Sequence, residues 1–209
     1  MGKLQVEKLV LGMVATNCYL AKNQETGELL IIDPADHAGR IISRITAMGG
    51  CPVAILLTHG HFDHIGAAQE LHDHYNIPVC AYEAEQEILE NAGKNLSAAM
   101  AGHGFTASAD RYFRDGERVT LAGFEIEVLH TPGHTVGGAC YYIAEESVVF
   151  SGDTLFYASV GRTDFPTGSM SALHRSLHER LFALPDETLV LPGHEERTQI
   201  GFEKKYNPY

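Results

Sequence analysis

Three apolar segments near the start, Leu4 to Val10, Cys18 to Ala21 and Leu29 to Ile32, predict strands. A helix over His37 to Met48 and a buried strand at 53–57 follow. Beyond it the pattern predicts a helix over Ile65 to Tyr75, a strand over Pro78 to Tyr82 and a helix over Glu83 to Ala92. After Asp115-Gly116, three strands lead to a helix over Met170 to Leu184 and a last strand at 188–191. Strands come first and then alternate with helices, in each of two similar halves. That order alone does not separate two packed sheets from one ordinary α/β sheet. No repeat, linker or low-complexity stretch interrupts the pattern, so residues 1–209 read as one domain.

The ends of the strands carry the chemistry. Thr58-His59-Gly60-His61-Phe62-Asp63-His64 follows the apolar run Pro52 to Leu57. A chain curling out of a strand can bring His59 and His61 round one ion, while Asp63 and His64 continue the turn towards a second. Neutral imidazole and ionised carboxylate suit zinc, manganese or ferrous iron. The same device recurs three times. The alternating Phe124 to Leu129 leads into His130-Thr131-Pro132-Gly133-His134-Thr135, with His134 as the candidate ligand. Ser147 to Phe150 ends in Ser151-Gly152-Asp153-Thr154, and Thr188 to Leu191 ends in Pro192-Gly193-His194. Four strand ends that each offer a His or Asp are hard to explain as packing.

Composition narrows the partners. With only 15 Lys and Arg and a formal net charge of -12, the chain lacks the clustered positive charge that phosphate backbones require, so no nucleic-acid partner is expected. No apolar run approaches the ~18 residues of a membrane span, and Met1 to Glu7 lacks the apolar core of a signal peptide. The expectation is a cytoplasmic enzyme without membrane contact. Cys18, Cys51, Cys80 and Cys140 show no C-x-x-C pair and read as buried free thiols.

Taken together, these motifs resemble the metallo-β-lactamase superfamily, and within it the glyoxalase II-like hydrolases. Besides the metal motifs, the resemblance rests on Gly152-Asp153-Thr154-Leu155-Phe156, Gly161-Arg162-Thr163-Asp164-Phe165-Pro166 and the tail Thr198 to Pro208. It implies an α/β αββα sandwich. It also implies that His59, His61 and His134 hold one divalent ion, that Asp63, His64 and His194 hold another, and that Asp153 bridges them. Zinc is the first expectation, iron or manganese the alternatives. Asp33 is implied as a support for the ligand loops.

The activity implied is hydrolysis of an acyl thioester such as S-D-lactoylglutathione by a water bridging two ions, with Asp63 able to take up a proton. A water so held has its pKa lowered from about 15.7 towards roughly 7. A thiolate, with a pKa near ~8.5, can leave unaided, whereas an amide nitrogen needs a proton donor that the motifs do not show. The chain stops at Tyr209, without the helical extension that carries glutathione-gripping residues in longer relatives. Arg162, Arg197, Lys204 and Lys205 are candidate substitutes, and His103, flanked by glycines, is a candidate substrate contact. The rival readings are a persulfide dioxygenase using one iron held by His59, His134 and Asp153, and another esterase or lactonase of the same fold. Glu195 and Glu196 replace the Gly-Pro that usually follows the metal histidine in short relatives.

Other histidines read as structural. His72 and His74, two apart on a helix, face different directions; His174 and His178 share a face but lack the H-E-x-x-H glutamate; His130 is a candidate supporting or core group.

Overall fold

The computed structural model describes residues 2–209, in two six-stranded sheets packed face to face with helices outside. The first sheet runs in sequence order through β1 (Leu4–Leu11), β2 (Thr16–Asn23), β3 (Glu28–Ile32), β4 (Cys51–Leu56), β5 (Val79–Tyr82) and β6 (Arg111–Phe113). β1 to β3 form an antiparallel meander, and β3 to β6 pair in parallel. Parallel pairs need crossovers. Here these are α1 (Ala38–Met48), the pair α2 (Phe62–Ile65) and α3 (Ala68–Tyr75), and the short turns α4 (Gln86–Leu89) and α5 (Ser97–Met100).

The second sheet has the order β14-β13-β10-β9-β8-β7. Its strands are β7 (Arg118–Leu121), β8 (Phe124–His130), β9 (Ala139–Ile143), β10 (Val148–Gly152), β13 (Leu189–Pro192) and β14 (Thr198–Gln199). A hairpin of β11 (Leu155–Phe156) and β12 (Ser159–Val160) and the helix α6 (Met170–Arg175) link β10 to its parallel partner β13. The last helix is α7 (Ile200–Tyr206).

The period of two along each strand sorts the core into three layers. Tyr19, Leu30, Ile32 and Leu56 point between the sheets, where they meet Phe124, Ile126, Tyr141 and Phe150. Leu20, Ile31 and Ile55 point the other way, onto Ile41 and Ile45 of α1 and Leu71 of α3. On the far side Cys140, Tyr142, Val149 and Val190 pack on Leu177, Leu181 and Ile200. The αββα sandwich is therefore built as expected.

Several elements differ from the sequence reading. Six strands, not three, lie between Gly116 and α6: β7 to β10 of the second sheet, with β7 and β8 joined by only two residues, and the two-residue strands β11 and β12. The helix expected over Ile65 to Tyr75 breaks at Gly66, where a Cβ would sit 2.3 Å from the Ala35 carbonyl oxygen and where Ala67 N–H donates to Pro34 at 2.8 Å. Glu83 to Ala92 forms a 3₁₀ turn and one α-turn rather than a continuous helix. The helix of 170–184 winds into a π-helical segment over Ser176–Leu181, closed by a Phe182 N–H bond to Leu177 five residues back. Of the cysteines, Cys51 is exposed at the start of β4, and the other three are buried. No described helix is long and apolar enough to cross a membrane.

Candidate metal centre

The carboxyl ends of β3, β4, β8, β10 and β13 open at one edge of the sandwich, and each hands a polar side chain to the same place. Backbone bonds tie the loops together there. Ala139 N–H donates to Thr58 at 2.9 Å, Gly193 N–H to Gly152 at 2.8 Å and Asn17 N–H to Gly193 at 2.7 Å. The Tyr141 hydroxyl, from the second sheet, donates to the Leu57 carbonyl of the first at 2.7 Å.

The seven sequence-predicted ligands converge. Three overlapping groups each bring their donor atoms within 4.8 Å of one another: His59, His61 and His134; His59, His64 and Asp153; Asp63, His64 and His194. Asp153 lies between the outer two groups, with Oδ1 3.4 Å from His64 Nε2 and Oδ2 3.5 Å from both His134 Nε2 and His194 Nε2. Asp63 Oδ2 stands 3.3 Å from His194 Nε2 and 3.5 Å from His64 Nε2.

These atoms fit divalent cations rather than one another. The Nε2 atoms of His59, His61 and His64 and Oδ1 of Asp153 are buried without a hydrogen-bond partner, which is costly for polar groups. His134 Nδ1 donates to the Arg162 carbonyl at 2.7 Å, leaving a lone pair on Nε2 that faces His61 Nδ1 at 2.9 Å. His61 Nδ1 either donates to that lone pair or, unprotonated, offers a second one to the same cation.

Electrostatics tell the same story. Burial, with His64 and His134 nearby, holds His59 well below its ordinary pKa, and burial beside His134 lowers His61 to about 3. Both rings are therefore neutral at physiological pH, the form in which an imidazole can hold a metal ion. Burial opposes charge on His64 and His194 as well, but Asp63 and Asp153 outweigh it and raise them to about 9 and about 11. Against its own burial, Asp63 is drawn down to about 2 by His64 and His194. Asp153 is likewise pulled well down by His64 and His194.

A supporting layer aims the ligands. Asp33 is 1 % exposed and sits at φ 48° just after β3. One of its oxygens accepts the Thr58 N–H at 2.7 Å; the other accepts the Thr58 hydroxyl at 2.7 Å and meets His64 Nδ1 at 2.9 Å. Sequence reasoning missed further supports in three places. Glu85 is wholly buried and takes the Gly60 N–H at 2.7 Å and the Gly137 N–H at 2.9 Å, so one carboxylate stitches the His59–His64 loop to the His134 loop. Burial raises its pKa to about 7. Thr16 donates to Asp63 Oδ2 at 2.8 Å, and Asn17 with Tyr19 holds the Pro192 carbonyl before His194. None of the three carried a sequence signal, since single polar residues in distant segments reveal nothing until the fold joins them.

Above the cluster lies a cavity of about 720 Å³. Phe165 stands edge-on to His61, and Phe156 edge-on to His194, so aromatic rings flank both ends of the ligand set. Of the proposed substrate contacts, Arg162 lines the cavity, but its guanidinium is forked onto both oxygens of Asp164 at 2.6 Å. His103 is exposed and stands outside the cavity lining, to which its segment contributes Leu96 and Met100 instead. Arg197 lines a neighbouring groove beside Tyr19. Lys204 is held at the surface by Asp186 and the Leu184 carbonyl. His130 is a supporting group: it stacks on Tyr82 and reaches the Val136 carbonyl at 2.9 Å. His72 is half-buried on the Ile77 carbonyl, and His174 and His178 stack on each other at the surface.

Comparison with known proteins agrees with this geometry. Residues 11–194 match the sequence profile of the metallo-beta-lactamase superfamily. The chain is 37 % identical over 203 residues to the probable metallo-hydrolase YqgX of Bacillus subtilis, covering 97 % of this chain and 95 % of that one. It is 35 % identical over 208 residues to the hydroxyacylglutathione hydrolase GloC of Haemophilus influenzae, covering 99 % and 98 %. Among solved structures, the BLEG-1 B3 metallo-beta-lactamase superposes with TM-score 0.93 at 38 % identity, covering 98 % of each chain. TTHA1623 in a di-iron-bound form follows with TM-score 0.85 at 38 % identity, covering 97 % and 98 %, and ETHE1 from Myxococcus xanthus with 0.81 at 31 %, covering 98 % and 83 %. The ligand clusters at the strand ends, the four-layered sandwich and these matches over nearly the whole chain agree: the protein belongs to the metallo-beta-lactamase superfamily.

Proposed function

We propose that the protein is a binuclear metallohydrolase that cleaves an acyl thioester to acid and thiol, in the manner of glyoxalase II. The observation that carries this is the second donor group: Asp63, His64 and His194 converge as closely as His59, His61 and His134 do, with Asp153 between them. In this reading the histidine trio holds one ion, the Asp63 group the other, and Asp153 both. Zinc is the first choice, and the di-iron form of a relative at 38 % identity supports iron as the alternative.

Divalent ions held there supply a water ionisable near neutral pH and a Lewis acid for the substrate carbonyl. The chain's own residues do the rest. Asp33 and the Arg162 carbonyl fix the rings of His64 and His134 in advance, and Glu85 fixes the loops that carry His59, His61 and His134, so little reorganisation accompanies reaction. Asp63, with Oδ2 held by Thr16 at the cavity wall, is placed to accept the proton released as the nucleophile adds. Phe165 and Phe156 keep bulk water from the two ends of the cluster. Lys8, a proton donor at the mouth, is engaged by Glu196, which favours a leaving group that needs no proton. The match to a hydroxyacylglutathione hydrolase supports the thioester as the bond broken.

Oxidation of a persulfide at one iron would use His59, His134 and Asp153 and leave the Asp63 group without a role. Purified protein supplied with S-D-lactoylglutathione and, separately, with glutathione persulfide distinguishes the two. Thiol release without oxygen uptake is the expected result; oxygen uptake with the persulfide and no thioester turnover would overturn the proposal.

A further inference from the structure

The mouth of the cavity is built unlike its floor. Leu96 and Met100, just before and at the end of α5, line it from one side, and Val10 of β1 and Val14 of the β1–β2 loop from another. Val10, Val14 and Met100 are among the large apolar side chains left exposed, at 48 %, 39 % and 42 %. Leu96 is held at φ 68°, a conformation that a bulky residue rarely adopts. Its neighbour Asn95 is pinned on both sides, accepting the Phe62 N–H at 2.8 Å and donating to the Phe105 carbonyl at 2.8 Å. The loop thus keeps a strained leucine turned into the cavity wall.

Charged groups at the mouth are already engaged. Lys8 Nζ bonds Glu196 at 3.3 Å and the Glu195 carbonyl at 3.2 Å, and the Arg162 guanidinium is forked onto Asp164. Glu195 and Glu196 add negative charge beside them. An anionic peptide thiol such as glutathione therefore meets no unengaged cation among the described lining residues. An uncharged hydrocarbon arm meets four apolar side chains.

Resting on the thioesterase reading above, we infer that the cavity selects acyl thioesters by an apolar acyl arm seated on Leu96, Met100, Val10 and Val14, and favours an uncharged thiol carrier over an anionic one. The reaction remains a hydrolysis: water adds to the acyl carbon, the carbon–sulfur bond breaks, and the thiolate and acid leave with one proton released.

The test uses the metal-loaded protein and octanoyl-N-acetylcysteamine, butyryl-N-acetylcysteamine and S-D-lactoylglutathione. The octanoyl thioester is expected to have kcat/KM at least about tenfold above that of S-D-lactoylglutathione, and above the butyryl thioester through KM. Met100→Asp and Val14→Asp, both at exposed positions, should raise KM for the octanoyl thioester by about tenfold more than they change kcat, with Met100→Leu restoring it. Calorimetry with the non-hydrolysable thioether S-octyl-N-acetylcysteamine should follow the same order. A preference for S-D-lactoylglutathione that Lys8→Ala abolishes would overturn the inference and leave the thioesterase reading standing. Tight octyl thioether binding without turnover of any thioester would overturn that reading and leave the apolar arm site.

Discussion

His64 Nδ1 lies 2.9 Å from Asp33 Oδ2, with both side chains buried, so the Nε2 of that ring has one direction in which to point. Because Asp33 also accepts the Thr58 N–H and hydroxyl, the carboxylate itself cannot turn. Asp33→Asn tolerates the left-handed backbone but cannot accept on both sides. We expect metal affinity in chelator competition to fall about 10–100-fold with the far-ultraviolet circular dichroism unchanged. Undiminished affinity would show that His64 is oriented by other means.

Asp153 touches both donor groups. Asp153→Ala is expected to abolish turnover and to lower bound metal below two per chain, since two dications would face each other without a carboxylate between them. Full occupancy in that variant would rule out the shared role.

Removal of metal should make stability depend on pH in a defined sense. His64 and His194, raised to about 9 and about 11 by the aspartates, stabilise the metal-free fold as cations. Their contribution is complete below the ordinary histidine pKa of about 6.5 and is lost as pH rises through the folded values. Thermal unfolding of the chelated protein should therefore show Tm falling from pH 6.5 to 9 by more than in the metal-loaded protein, where the rings are held as neutral ligands.

Glu85 acts in the opposite chemical sense to a salt-bridged carboxylate. Its pKa rises to about 7, so the native state holds its proton more tightly than the unfolded chain does, and its effect on stability declines with pH between about 4.5 and 7. Glu85→Ala strips two buried amides of their acceptor. A loss of about 2–5 kcal/mol in denaturant unfolding is expected, together with weaker metal binding as the two loops separate.

Glu195 occupies φ 63°, where glycine carries no Cβ penalty. Glu195→Gly should raise stability by about 1 kcal/mol, read as a Tm increase of about 2–4 °C. Combined with Glu196→Pro it also removes the carboxylate that pairs with Lys8. The double variant is expected to lower KM for S-D-lactoylglutathione, more at low salt than at high, with kcat little changed. Unchanged kinetics at low ionic strength would show that neither glutamate faces the substrate path.

The candidate ligand set was legible because local spacing encodes it: His59, His61, Asp63 and His64 share one turn, and His134, Asp153 and His194 each follow a strand. What supports them was not. Glu85 lies 25 residues from Gly60 and 52 from Gly137, and such long-range bonds depend on how the 3₁₀ turn before α4 docks rather than on any periodicity. The candidate substrate contacts divide for a related reason. Arg162 and Arg197 look available in sequence, yet Asp164 occupies the first and the fold turns the second to another groove. Short elements such as β6, β11 and β12 span two or three residues, too few for a pattern to show.

Metal stoichiometry of the purified protein tests the central claim most directly. Elemental analysis is expected to give two divalent ions per chain in the unaltered protein and one in His64→Ala, with thioester turnover lost alongside the second ion. One ion per chain in the unaltered protein, unchanged in His64→Ala and with hydrolysis intact, would contradict the binuclear account.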